Sequence, residues 1–192
     1  MSTTIVLLMG FAGTGKYTIG CELSRLTGAK LIDNHLINNS VFTALNADGV
    51  TPLPAGVWAK VGAIREVVYE TIVELAPVEL SFIFTMQLLE GVPDDLVAYN
   101  RLAQLAQQRE SVFLPVRLTC EVNELCRRIE LPTRRERLKQ NSAAGVAATL
   151  AKHGVLNPSH PNLKTIDVTK ISPTQSALLI LEEMTNESTD DS

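Results

Sequence analysis

The chain has 192 residues, of which 45% are hydrophobic and 20% charged, with a formal net charge of −4. That length and apolar content suit one α/β domain with a sizeable core and leave no room for a second full domain. The acidic balance excludes a global field that would draw the chain to nucleic acid or to an anionic membrane, so any basic site must be local.

The start, Met1-Ser-Thr-Thr, has no basic segment, and the apolar run after it is too short for a signal or a membrane span, which predicts a cytoplasmic protein. Cys21, Cys120 and Cys126 show no Cys-x-x-Cys spacing and read as small core residues. Ile5 to Met9 reads as a buried strand, and Ile19, Leu23 and Leu26 recur at helical spacing before Thr27-Gly28. Between them stands Gly-x-x-x-x-Gly-Lys, formed by Gly10, Gly15 and Lys16 with Gly13 as an extra glycine. Glycines let successive N–H groups turn inward on phosphate oxygens, the helix start adds its positive dipole end, and the Lys16 ammonium reaches the β- and γ-phosphates. The expected nucleotide contacts are Gly10, Ala12, Gly13, Thr14, Gly15, Lys16, Tyr17 and Thr18. Tyr17 departs from the common pattern, which has Ser or Thr there as a magnesium ligand, and this argues against a GTPase-like switch.

Ala29 to Asp33 reads as a second strand ending in a carboxylate, followed by Asn34-His35-Leu36. Strand ends beside a phosphate loop are where α/β sites form. Either Asp33 or neutral His35 can accept a proton from an attacking hydroxyl; the competing reading has Asp33 capping a helix from Asn34 to about Leu45, with His35 merely in its first turn. Asn46 to Gly56 is a loop. From Val57 an amphipathic helix runs until Pro77 closes it off, with Trp58 read as core and Arg65 as either a solvated residue or an anchor for an anionic substrate. Residues 34–76 thus form the expected substrate-binding segment. Leu80 to Met86 is a third strand, which ends in Thr85-Met86-Gln87 without the aspartate that often holds magnesium. Pro93-Asp94-Asp95 starts a helix with a packing role.

Ser111 to Thr119 is a fourth strand, and Val122, Leu125, Cys126 and Ile129 mark one face of the helix after it. Six of the 17 basic residues then crowd together: Arg127, Arg128, Arg134, Arg135, Arg137 and Lys139. Guanidinium groups can stabilise the charge that spreads over a transferring phosphoryl group, and Arg128, Arg134 and Arg135 are the candidates; the alternative is a solvated helix turn with Glu130 and Glu136 as partners. Ser142 to Lys152 is helical, His153 and His160 read as surface residues, and Lys164 to Thr169 is a fifth strand. Ser172-Pro-Thr-Gln175 combines a capping box with proline at the first helical position. Residues 187–192 read as a disordered tail after one domain spanning 1–186.

Strands alternating with helices after a phosphate loop imply a three-layer α/β/α arrangement around a five-stranded parallel sheet. In chain order this resembles the P-loop small-molecule kinases: nucleoside monophosphate, shikimate and gluconate kinases and chloramphenicol phosphotransferase. It also resembles a group of small bacterial P-loop proteins through Asn34-His35-Leu36, Arg134-Arg135 and the stretch from Ile166-Asp167 to Ser172-Pro173. The resemblance implies ATP and Mg²⁺ as cofactors, Asp33 near the metal through water, residues 131–141 as an arginine-bearing lid, and a small-molecule acceptor. Shikimate itself is disfavoured, because the Gly-Gly-Gly after the third strand is missing. The implied activity is transfer of a γ-phosphoryl group to a hydroxyl of a metabolite, nucleoside or antibiotic. A nucleoside monophosphate acceptor and a nucleotide-binding regulatory module stand as alternatives, in a monomer or homodimer.

Overall fold

The computed structural model describes residues 3–48, 51–130 and 143–186. Its strands are β1 (Thr4–Met9), β2 (Lys30–Asp33), β3 (Phe82–Met86), β4 (Val112–Thr119) and β5 (Lys164–Asp167). They form one parallel sheet in the order β2-β3-β1-β4-β5. The helices among the described residues are α1 (Lys16–Thr27), α2 (Asn34–Ala44), α3 (Val57–Glu74), α4 (Pro93–Gln108), α5 (Val122–Ile129), α6 (Ala143–Leu150) and α7 (Pro173–Asn186). This is the expected α/β/α architecture. None of the described helices is long and apolar enough to cross a membrane.

The central position of β1 explains its unbroken apolar run, since a strand paired on both edges and covered on both faces is buried throughout. Ile5, Leu7 and Met9 pack with Tyr69 and Ile72 of α3 and with Tyr99, Leu102 and Leu105 of α4. Val6 and Leu8 point the other way, onto Ile19 and Leu23 of α1 and Ala177 and Ile180 of α7. A smaller cluster of Ile37, Phe42, Val57 and Val61 joins α2 to α3. Gly28, in the left-handed conformation, ends α1 by donating its N–H to Ser24 O at 2.8 Å. The capping box at α7 is reciprocal: Gln175 N–H donates to Ser172 Oγ at 3.1 Å, and Ser172 N–H to Gln175 Oε1 at 2.8 Å.

Several side chains lie elsewhere than the pattern suggests. Trp58 is not core but 61% exposed, because Val57 and Val61 take the buried stripe of α3 and Trp58 falls about 100° off it. Its indole packs edge-on against Phe42, with ring centroids 5.9 Å apart. Cys21, Cys120 and Cys126 are half-buried rather than core, and Val122 is exposed while Leu125 and Ile129 carry the buried face of α5. His153 and His160 are tethers rather than plain surface residues. The His153 ring lies against Glu90 O at 2.9 Å, and His160 packs edge-on against Phe113.

Arg109, which follows α4, holds the end of α3. It donates to the carbonyls of Ile72 at 2.5 Å and Pro77 at 2.8 Å, reaches those of Val78 and Leu80, and lies over the Phe82 ring at 5.2 Å. A guanidinium spanning carbonyls at a helix C-terminus satisfies acceptors that the helix leaves unpaired. Arg109→Ala is expected to cost about 3 kcal/mol, read as a fall of roughly 6–12 °C in Tm. Arg109→Lys is expected to recover less than half of this, since a point charge cannot span the same carbonyls.

Candidate active site

The phosphate loop lies between β1 and α1, where the strand order reverses direction across the sheet, the place at which α/β sheets open a crevice. Its shape is fixed by close packing. A Cβ on Gly10 would lie 3.0 Å from Leu118 O, and one on Gly13 3.1 Å from Leu125 O at a φ of 95° that side chains resist. Thr14 is buried, and its hydroxyl donates to Phe11 O at 2.9 Å. The N-cap of α1 is Gly15, which offers no side-chain acceptor to the first-turn N–H groups, so these suit an anion. Lys16 Nζ folds back on the loop and donates to Gly10 O at 2.7 Å and Phe11 O at 2.8 Å. Tyr17 is half-buried and Thr18 exposed. Ala12 N–H donates to Gln87 Oε1 at 2.9 Å, so that amide already has a protein acceptor.

Asp33 occupies the N-cap position of α2 but makes no capping bond. Its carboxylate turns instead to β3, where Thr85 Oγ1 donates to Asp33 Oδ1 at 2.5 Å and accepts from Asn34 N–H at 3.2 Å. The parallel register sets Asp33 opposite Thr85, and both residues are buried. His35 follows in the first turn of α2, half-buried.

Arg65 of α3 faces the same strand end, and its Nη2 donates to Asn34 Oδ1 at 3.1 Å. Among the described residues no carboxylate forms an ion pair with it. Asp95 of α4 has more than a packing role. It accepts Leu89 N–H at 2.7 Å, and burial pushes its carboxyl above the usual range, with Arg65 and His153 among the charges that oppose the shift.

Arg128 has partners other than the phosphate expected of it. Its Nε donates to Glu124 at 2.7 Å, and its Nη2 to Val168 O at 2.9 Å and Thr169 O at 3.2 Å, which ties α5 to the loop after β5. Arg134 and Arg135, with the rest of the expected lid, lie outside the described residues, as do residues 187–192. Sequence reasoning missed Gln87 and the bridging role of Thr85. The signal was present in Thr85-Met86-Gln87, whose alternate side chains are polar at the end of an otherwise apolar strand.

Magnesium keeps several waters and needs few protein oxygens, so the Asp33 carboxylate at the strand end fits an ion held through water. The phenol of Tyr17 does not reproduce the small hydroxyl usual beside the lysine. Among the described residues no cluster of three or more His, Cys, Asp or Glu offers a cage of protein ligands.

Neither a protein-family model nor a curated protein matches the sequence. In three dimensions the fold is that of the P-loop kinases. A candidate kinase from Chloroflexus aurantiacus superposes with a TM-score of 0.68 at 16% identity, over 95% of this chain and 99% of that one. A sugar kinase from Janibacter gives 0.64 at 18% over 95% of each chain, and a gluconokinase from Sinorhizobium meliloti 0.60 at 14% over 100% and 98%. At these identities what is shared is the fold.

Proposed function

We propose that the protein is an ATP-dependent phosphotransferase acting on a hydroxyl of a small molecule that carries an anionic group. The observation that carries this reading is that three features lie at the carboxyl ends of the neighbouring strands β1, β3 and β2: the phosphate loop with Lys16, the carboxylate of Asp33 held by Thr85, and Arg65, bonded to Asn34 and with no carboxylate partner among the described residues. The loop amides and Lys16 hold the triphosphate. Asp33 accepts the proton of the attacking hydroxyl or, as the competing assignment, His35 does so from the next turn. Bound magnesium would neutralise charge on the β- and γ-phosphates; on the protein side, Asp33 is the residue placed to hold it through water. Arg134 and Arg135 stabilise the transferring group, and Arg65 grips a carboxylate or phosphate of the acceptor. Kinases of small molecules with the same fold support phosphoryl transfer in general.

The test is ADP release from ATP over a panel of hydroxylated acids, sugar phosphates, nucleosides, nucleoside monophosphates and hydroxylated antibiotics. Turnover is expected for a carboxylate- or phosphate-bearing acceptor, and Arg65→Ala is expected to raise its KM tenfold or more, the effect of removing a charge-assisted hydrogen bond. Tight ATP binding with no turnover over the whole panel overturns the reading in favour of a regulatory nucleotide-binding module.

A further inference from the structure

The end of β3 does two things at once. The strand lies between β2 and β1, so its last residues reach both the acceptor side and the phosphate side. Toward β2, Thr85 Oγ1 holds Asp33 and the N–H of Asn34. Toward β1, Met86 O accepts Gly10 N–H at 3.3 Å, and Gln87 Oε1 accepts Ala12 N–H at 2.9 Å. The base of this arrangement is itself fixed. Leu88 O accepts Leu156 N–H at 2.9 Å, Glu90 N–H donates to Gly154 O at 2.9 Å, Leu89 pairs with Val155 in an antiparallel bridge, and Asp95 holds Leu89 N–H.

The peptide unit that Gln87 touches is the one between Phe11 and Ala12. Its carbonyl, Phe11 O, accepts from Thr14 and from Lys16 Nζ, and its N–H is taken by Gln87. A nucleotide phosphate competes with Phe11 O for the Lys16 ammonium. Once Lys16 turns to the phosphate, Thr14 and Gln87 are left to keep this peptide plane in place. A rotation of the plane would redirect a carbonyl dipole within the loop that receives the anion, which is electrostatically unfavourable.

We propose that Gln87 is a positioning residue for the phosphate loop, and that with Thr85 it makes the end of β3 a bracket that sets the spacing between the loop and Asp33. This rests on the phosphotransferase reading above. Gln87 acts through the Ala12 amide and bears no proton-transfer role. The strand end that lacks a metal-holding aspartate therefore serves the site by geometry.

The experiment compares the full-length chain with Gln87→Met, which keeps the length of the side chain and loses the strong acceptor, Gln87→Asn, which is one methylene short, and Gln87→Glu, which keeps an acceptor. Amide hydrogen exchange of Ala12 without nucleotide is expected to be slow in the wild type and in Gln87→Glu, and about fivefold or more faster in Gln87→Met and Gln87→Asn. Binding of a fluorescent ATP analogue is expected to weaken about fivefold in Gln87→Met and Gln87→Asn, the scale of one lost hydrogen bond, with the acceptor KM unchanged and Tm lower by about 2–4 °C. Equal exchange at Ala12, or wild-type binding of the analogue by both Gln87→Met and Gln87→Asn, overturns the bracket while leaving the phosphotransferase reading intact. A wild-type chain that binds no nucleotide overturns that reading and the bracket together.

Discussion

Lys16→Ala is expected to lower the rate of ADP release about 10²–10³-fold while leaving the protein folded. In the phosphotransferase reading proposed above, the ammonium is the basic group that the loop brings to the triphosphate, and no other described lysine or arginine belongs to the loop. In the present structure it lies on Gly10 O and Phe11 O, and the latter keeps its bonds from Thr14 when the lysine is removed. The fold therefore loses little, and a Tm within a few degrees of wild type is expected alongside the collapse in rate. Lys16→Arg is expected to recover little, because a planar guanidinium is bulkier than an ammonium and cannot lie in the same turn of backbone. Full turnover in Lys16→Ala, measured with saturating ATP and acceptor, is the result that would remove the loop from the chemistry.

Asp33→Asn tests the other side of the transfer. The substitution keeps the side-chain shape, and Thr85 Oγ1 can still donate to the remaining carbonyl oxygen, so neither the start of α2 nor the register of β2 on β3 is disturbed. What disappears is the negative charge and the capacity to accept a proton. The expected outcome is a loss of about 10²–10⁴-fold in kcat, the scale of a positioned general base, with affinity for the nucleotide unchanged when it is measured without magnesium. Single-turnover kinetics with His35→Asn alongside assigns the role, because the substitution with the larger loss in kcat marks the proton acceptor. If both variants keep wild-type kcat, neither residue handles the proton.

The sheet and the phosphate loop were legible because their signals are local. The apolar run of β1, the glycine spacing and the helical periodicity of α1 lie within one continuous stretch, and each is decided by neighbours in sequence. The site beyond the loop was legible only in part. Asp33 could be picked out as a carboxylate at a strand end, but that it turns to β3 and does not cap α2 depended on Thr85, a residue 52 positions away brought opposite by parallel pairing. Gln87 escaped notice for the same reason, since its partner Ala12 lies across two strand ends. Trp58 was misplaced because its bulk argued for the interior, whereas the stripe set by Val57 and Val61 leaves it outside. Arg128 sits in a basic run whose composition suggests an anion, yet Glu124 one turn earlier and two carbonyls after β5 give it protein partners that composition does not reveal.

The antiparallel contact of Leu88–Glu90 with Gly154–Leu156 has a consequence for how the chain can vary. On one side of residues 131–142 stands α5, whose Leu125 and Ile129 are buried beneath the loop at Gly13. On the other, the chain is fastened again within a few residues of the end of α6. The two bonds across this contact, each 2.9 Å, are made by backbone atoms, so residues 88–90 and 154–156 can exchange apolar side chains of similar size while the chain stays tied to the end of β3.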